Sequence, residues 1–157
     1  QWLAINHPER FEHVIVANTA AQIGLEQAWK DRASLVREQG LESIASTAAT
    51  RWFTEGFIKK NPKIVARLSS ELGDGSNEGY ASCCEALAKA DLREEIKTIS
   101  IPVLVIVGTQ DPVTTVKDGQ FMINNIRSSA LFEIDASHIS NIEQPQAFNK
   151  AIFDFIQ

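Results

Sequence analysis

The chain has 157 residues, with 15 basic and 20 acidic side chains and a formal net charge of −5. This length is typical of one domain, and 44% hydrophobic with 22% charged residues is the composition of a globular protein. The acidic balance argues against a general nucleic-acid binder, which needs a basic face. No apolar run reaches the roughly 18 residues that a membrane span requires. We therefore expect neither nucleic acid nor a membrane as a partner.

The two cysteines, Cys83 and Cys84, are adjacent in the sequence. Neighbouring cysteines rarely bridge each other, so the pattern excludes a disulfide scaffold and a cysteine-based zinc site. The sequence also has no cluster with metal-ligand spacing and no glycine-rich phosphate loop, so we expect no metal and no cofactor. Free thiols, together with a first segment unlike a signal peptide, favour a cytoplasmic location.

The order of elements along the chain predicts an α/β fold. In chain order we predict a helix end at 2–5, a strand at 13–19, helices at 26–38, 41–52, 62–73 and 78–89, strands at 101–108 and 130–135, and a helix from Pro145. Strands that alternate with helices indicate a parallel sheet. The strand at 103–107 is apolar at every position, as expected of a parallel strand covered on both faces.

The segment between the first two strands differs in character, because roughly 65 residues of mostly helical pattern separate them. We therefore predict two regions. Residues 1–25 and 91–157 would form an α/β core, and residues 26–90 would form a helical cap inserted into it.

A carboxylate follows the clearest strand, in the segment Gly108-Thr109-Gln110-Asp111-Pro112. In open α/β sheets, ligands bind at the carboxyl ends of the strands. Aspartate before proline is also common in turns. From this segment alone, a functional Asp111 and a turn-forming Asp111 both remain open.

A histidine, His138, stands in the loop after the next strand, 27 residues beyond Asp111. That distance is one strand–helix–strand unit, so both side chains would emerge at the same sheet edge. An aspartate that accepts from one imidazole nitrogen fixes the tautomer and leaves the other nitrogen as a base. The order Asp then His is that of the α/β-hydrolase triad. A lone histidine is nevertheless more often structural than catalytic.

These segments, followed by Glu143-Gln144-Pro145, resemble the C-terminal half of an α/β-hydrolase. More narrowly, the chain resembles the 3-oxoadipate enol-lactonase family over essentially its whole length. The segments that support this are Ala-Asn-Thr-Ala at 17–20, Arg-Trp-Phe-Thr at 51–54, Tyr-Ala-Ser-Cys-Cys at 80–84 and His-Ile-Ser-Asn-Ile-Glu-Gln-Pro at 138–145. The resemblance implies an α/β-hydrolase core, and an enzyme that opens the lactone ring of 3-oxoadipate enol-lactone in aromatic catabolism. Asp111 and His138 would be two members of its catalytic triad, with His138 as the general base and Asp111 as the residue that orients it.

The chain departs from the family in one respect, because no serine lies in a Gly-x-Ser-x-Gly motif. Ser76, between Gly75 and Gly79, comes nearest but has the wrong spacing. By resemblance the nucleophile would lie upstream of Gln1, so we expect the N-terminal half of the same enzyme as a partner and no activity of this chain alone. Its first strand would then present an open apolar edge, which favours instability without that half and also allows for a homo-oligomer.

The resemblance also implies an anionic lactone substrate, and Arg51 is our candidate to bind its carboxylate, because an arginine fork holds a carboxylate by two parallel hydrogen bonds. The stretch 51–67 has five basic residues and one acidic residue. A solvated helix face explains its lysines better. Trp29 and Trp52 either line an apolar substrate pocket or pack within the cap. Ile139, beside the histidine, would contact substrate through its backbone.

Two other interpretations remain open. The protein could be a different capped α/β-hydrolase, such as a carboxylesterase or a carbon–carbon bond hydrolase, with the same core and Asp–His pair. The chain as it stands could also be a non-catalytic binding or assembly module.

Overall fold

A computed structural model describes all residues of the chain, Gln1–Gln157. It divides into two compact units, which we call the sheet unit (Gln1–Gln22 and Asp91–Gln157) and the helical unit (Ile23–Ala90). None of the helices has both the length and the apolar character needed to cross a membrane.

Three strands and ten α-helices make up the two units. In chain order they are α1 (Trp2–Asn6), β1 (Val14–Ala17), α2 (Glu26–Gln39), α3 (Glu42–Ser46), α4 (Ala49–Trp52), α5 (Glu55–Lys60), α6 (Pro62–Gly73), α7 (Asn77–Lys89), β2 (Val103–Gly108), α8 (Val116–Asn125), β3 (Ser129–Ile134), α9 (Ser140–Glu143) and α10 (Pro145–Ile156). Short 3₁₀ helices lie at Pro8–Arg10 and Glu95–Thr98.

The sheet has the order β1-β2-β3 and is parallel throughout. Val105, at the centre of β2, lies opposite Val16 on one side and Leu131 on the other. Every residue of β2 is buried, which confirms the prediction of a strand covered on both faces. Because the strands run the same way, their carboxyl ends meet at one edge of the sheet.

Alternate residues of β2 enter two separate cores, as the period of a strand requires. Val103, Val105 and Val107 pack with Met122 of α8 on one face. On the opposite face, Leu104 and Ile106 pack with one side of α10. The three residues predicted to share that side of α10, Phe148, Ile152 and Phe155, all contact this second core.

Two glycines permit close approaches that a larger residue would prevent. A Cβ atom on Gly119 of α8 would lie 2.4 Å from the Cγ1 atom of Val107, so the helix packs directly on the sheet. At the end of β2, a Cβ atom on Gly108 would lie 2.5 Å from the carbonyl oxygens of both Ala136 and Ser137. Gly108 therefore lets the loop after β3 cross close to the end of β2.

The helical unit is built around the pair α2 and α7. A small hydrophobic core between these helices consists of Ala33, Ala81 and Cys84, and Trp29 and Tyr80 pack against it. Of the adjacent cysteines, Cys84 is buried and Cys83 is exposed, as expected if only one of them faces a core. Burial raises the pKa of the Cys84 thiol. At the surface, Arg37 of α2 forms ion pairs with Glu78 and Glu85 of α7.

The predicted helix at 41–52 is wrong as a single element, because it consists of the two short helices α3 and α4. Side-chain hydroxyls explain the break. Ser46 and Thr47 both donate to the carbonyl oxygen of Ser43, at 3.1 and 3.3 Å, and so compete with the backbone ladder.

The start of one other helix and the cap of another differ from the prediction. Helix α7 begins at Asn77 rather than Glu78, because the Ser76 hydroxyl caps it by accepting from the Gly79 amide at 3.1 Å. Asn61 precedes Pro62 as expected, but its side chain does not cap α6. It donates instead to the Phe57 carbonyl at 3.3 Å and closes the end of α5.

Replacing Gly108 by alanine is expected to lower the free energy of unfolding by about 1 to 3 kcal/mol, the usual cost of forcing atoms into a packed site. Its Cβ would meet backbone atoms, which cannot move aside as a flexible side chain can. Urea unfolding measures the change. Gly56→Ala is the control, since nothing lies within 4 Å of its new Cβ. Equal stability of the two variants would contradict the close approach at Gly108.

Candidate active site at the carboxyl edge of the sheet

The loops that follow β2 and β3 are joined by backbone hydrogen bonds at the carboxyl edge of the sheet. The Thr109 amide donates to the Ile134 carbonyl at 2.8 Å, and the Gln110 amide donates to the Ala136 carbonyl at 3.0 Å. These bonds continue the pairing of the two strands beyond their ends. They fix the loop of Asp111 against the loop of His138.

The structure brings the two predicted catalytic residues into contact. The Nδ1 atom of His138 lies 2.8 Å from the Oδ2 atom of Asp111, so the imidazole donates its Nδ1–H to the carboxylate. The Asp111 side chain is fully buried, and that of His138 is 25% exposed. No hydrogen bond within the chain uses the Nε2 atom of His138. This arrangement leaves the second ring nitrogen available as a proton acceptor.

The two oxygens of Asp111 make different sets of contacts. Oδ1 accepts from the amides of Val113 and Thr114, at 2.7 and 3.1 Å, and so shapes the turn after β2. Oδ2 accepts from the Thr114 hydroxyl at 2.7 Å, and it is also the oxygen that faces His138. Asp111 can therefore form the turn and contact His138 at the same time, because Oδ1 accepts from the amides of the turn and Oδ2 faces the imidazole.

Burial by itself would raise the pKa of the Asp111 carboxyl, because it disfavours the charged form. The hydrogen bonds from His138, from Thr114 and from the Val113 amide outweigh it and hold the pKa at about 2. Asp111 is therefore an anion at neutral pH. A buried negative charge beside an imidazole favours the charged imidazolium, which is the state a general base reaches when it accepts a proton.

Asn18 is a residue of this edge that the sequence prediction missed. It follows β1 and has a φ of 47°, in the left-handed region that asparagine tolerates better than most side chains. Its Nδ2 donates to Asp111 Oδ2 and to the Ser137 carbonyl, both at 3.2 Å. Its Oδ1 accepts from the Ser140 hydroxyl at 2.5 Å. The available signal was its position, since it ends a strand at the edge where Asp111 and His138 also emerge.

The loop of His138 is closed by a short helix and by hydrogen bonds of its own. Ile139, which is half-buried, immediately precedes α9. The Ser137 amide donates to Glu143 Oε2 at 3.0 Å, and the Gln144 side chain donates to the Asp135 carbonyl at 3.3 Å. Contact of Ile139 with a substrate stays a prediction.

In the helical unit, the predicted substrate-binding residues of α4 make local contacts. Arg51 donates from Nη1 to the Thr47 hydroxyl at 3.0 Å and from Nη2 to the Ile44 carbonyl at 3.4 Å. The Trp52 ring meets that of Phe53 edge-on, with centroids 6.4 Å apart. A role of Arg51 or Trp52 in binding stays a prediction.

Trp29 of α2 has contacts at its indole nitrogen and on its ring face. Its Nε1 donates to the Ile23 carbonyl, and the Arg32 guanidinium lies over its ring, 5.2 Å from the centroid. These contacts are those of a packed aromatic side chain, and its role toward a substrate is untested. No group of three or more His, Cys, Asp or Glu side chains in the chain is arranged to hold a metal ion.

Comparison with known proteins identifies the family of the chain. The family model described as the Ndr family matches residues 2–157. Two relatives from Acinetobacter baylyi are 3-oxoadipate enol-lactonase 2, 68% identical over 152 residues, and 3-oxoadipate enol-lactonase 1, 44% identical over 156 residues. The chain is covered to 97% and 99% by these matches, but it spans only 57% and 59% of the two relatives.

A solved structure supports the same assignment at the level of the fold. The crystal structure of the enol-lactonase from Burkholderia xenovorans LB400 matches with a TM-score of 0.94 and 41% identity, over 98% of this chain and 59% of that one. The predicted fold class, the C-terminal part of an α/β-hydrolase core, is thereby confirmed. The resemblance to the enol-lactonases found in the sequence is confirmed as well, and the chain belongs to the Ndr family.

Proposed function

We propose that the full-length protein containing this sequence hydrolyses 3-oxoadipate enol-lactone to 3-oxoadipate. The observation that most supports this is the contact of 2.8 Å between a buried Asp111 and a partly exposed His138, in a chain 68% identical to a 3-oxoadipate enol-lactonase. The activity is proposed for the full-length protein, because the chain spans 57% of that relative and has no Gly-x-Ser-x-Gly motif. The chain by itself is expected to be inactive.

In the proposed reaction, His138 moves protons through its Nε2 atom. It takes the proton of a serine hydroxyl, supplied by the part of the protein outside this sequence, as the serine oxygen bonds to the lactone carbonyl carbon. The ring C–O bond then breaks, and the departing enol oxygen receives the proton from His138. Water, deprotonated by His138, next cleaves the acyl-serine ester and restores the serine. The released enol becomes the keto acid 3-oxoadipate.

Asp111 has two tasks in this proposal. By accepting from Nδ1–H, it holds the imidazole in the tautomer whose free Nε2 can act as the base. Its ionised carboxylate also stabilises the imidazolium that forms each time Nε2 accepts a proton. Both tasks need a carboxylate that stays charged and does not rotate, and its other hydrogen bonds provide this.

We also propose a set of substrate-binding residues, Arg51, Trp52, Trp29 and Ile139. Arg51 would bind the substrate carboxylate through its guanidinium, and the surplus of basic residues at 51–67 would attract the anion. The helical unit would then be the cap of the hydrolase. A cytoplasmic location is proposed on the two free thiols. The N-terminal half of the enzyme and a second copy of the chain remain proposed partners.

The main alternative is another capped α/β-hydrolase with the same core, such as a carboxylesterase or a carbon–carbon bond hydrolase. A non-catalytic role remains the alternative for the chain in isolation. Turnover of the enol-lactone, compared with that of a simple aryl ester, separates the lactonase from the esterase.

The full-length protein is expected to turn over the enol-lactone, and Asp111→Asn is expected to lower kcat by about three to four orders of magnitude. The amide has the shape of the carboxylate, but it carries no charge and does not hold the His138 imidazole in the productive tautomer. Asp135→Asn is the matched control, because Asp135 lies in the neighbouring loop, is exposed and contacts Gln110 rather than His138. No lactone turnover by the wild type, or equal loss in both variants, would overturn the proposal.

Arg51→Ala is expected to raise KM for the enol-lactone at least tenfold with a much smaller change in kcat, since the carboxylate it would bind does not react. Steady-state kinetics at low salt measure both constants. Arg67→Ala removes a second arginine from the same basic stretch, one that is exposed and paired with Glu71 at 2.8 Å. An equal rise of KM in both variants would mean that only overall charge matters, and Arg51 would not be a specific ligand.

A further inference from the structure

Asn18 is a polar side chain that contacts the loops of both Asp111 and His138 and has no part in the proton transfers described above. It lies at the end of β1, and its Nδ2 donates to Asp111 in one loop and to the Ser137 carbonyl in the other. Its backbone has a φ of 47°, a conformation that costs energy for a residue other than glycine. A costly conformation that places one amide between two loops is a sign of a specific task.

The orientation of that amide is supported from its other side as well. Ser140, which is fully buried, donates its hydroxyl hydrogen to Asn18 Oδ1 at 2.5 Å. A rotated amide would instead present its NH₂ group toward the Ser140 hydroxyl and its oxygen toward the Asp111 carboxylate. The Asp111 carboxylate and the Ser137 carbonyl can only accept, so the NH₂ group faces them, and the Ser140 hydroxyl completes this orientation by donating to Oδ1.

Asn18 contacts the same oxygen of Asp111 that His138 contacts. Oδ2 of Asp111 accepts from both Asn18 and His138, at 3.2 and 2.8 Å. The second acceptor of the Asn18 amide is the carbonyl of Ser137, the residue that precedes His138. A single neutral donor thus holds the acceptor oxygen and the backbone that presents the imidazole at a fixed separation.

We propose that Asn18 is a positioning residue that aligns Asp111 Oδ2 with the Nδ1–H of His138, with Ser140 as its own support. The catalytic consequence rests on the proposed hydrolase function, whereas the alignment itself can be measured without it. Aspartate could not replace Asn18 in this role. It would remove the donor and place a second carboxylate at hydrogen-bond distance from Asp111.

The test uses the full-length protein and the variants Asn18→Ala and Asn18→Asp. Asn18→Ala is expected to lower kcat for the enol-lactone about tenfold, the equivalent of one hydrogen bond to a charged group, with KM within twofold of the wild type. In proton NMR, the downfield Nδ1–H resonance of His138, assigned by its absence in His138→Gln, should broaden or move upfield. Asn18→Asp should also move the acid limb of the kcat/KM profile to higher pH, because an added negative charge favours the imidazolium.

Asn141→Asp is the matched control for the added charge, because Asn141 is exposed in α9, three residues after His138. It should leave the NMR resonance and the pH profile unchanged. If Asn18→Ala does not fold, Ser140→Ala replaces it, since it keeps Asn18 but frees its amide, and a smaller change in the same direction is expected. Folded variants of Asn18, or Ser140→Ala where it is used, that retain the wild-type resonance and a kcat within twofold would overturn the proposal.

The two readouts separate this proposal from the proposed function. A wild type without lactone turnover, whose Nδ1–H resonance still depends on Asn18, would refute the lactonase and support the positioning role. A wild type that turns over the lactone with no dependence on Asn18 would support the lactonase and refute the positioning role.

Discussion

The candidate site depends on one buried carboxylate. Asp111 receives five hydrogen bonds, from two backbone amides, a threonine hydroxyl, an asparagine amide and the His138 imidazole. Burial without these donors would favour its neutral form, which can neither orient nor stabilise a charged imidazole. Because the donors come from different strand ends, the parallel sheet must be formed before the carboxylate is satisfied. The fold and the proposed chemistry thus have the same physical requirement.

The parallel sheet meets this requirement by bringing the ends of three strands to one edge. Asn18 follows β1, Asp111 follows β2, and His138 follows β3. The approach of the loops is possible because Gly108 has no side chain, so the backbone of Ala136 and Ser137 can lie against the end of β2. Two hydrophobic cores on opposite faces pack against β2 and hold it in place beneath this edge.

The sequence was sufficient to predict the elements with strong periodicity and the contact between Asp111 and His138. An apolar strand and the spacing of one strand–helix–strand unit leave few alternatives for where those side chains emerge. The position of Asn18 at the end of a strand indicated the right edge, but its contacts and those of Ser140 could not be predicted, because they depend on side-chain rotamers and on a left-handed backbone. The break after Ser46 was missed for a related reason, since hydroxyls that bond back to the helix leave no mark on hydrophobic periodicity.

The most direct test of this account is the pH dependence of stability in the full-length protein and in Asp111→Asn, measured by urea unfolding. The pKa of Asp111 is lowered from 3.8 in the unfolded chain to about 2 in the folded protein. The ionised carboxylate therefore stabilises the fold fully at a pH above its unfolded pKa, and this stabilisation is lost as the pH falls toward its folded pKa. Between pH 6 and pH 3, the free energy of unfolding of the wild type should therefore fall by about 1 kcal/mol more than that of the variant. An equal fall in the free energy of unfolding of the two proteins would show that the structure does not hold this carboxylate ionised, and would contradict the account.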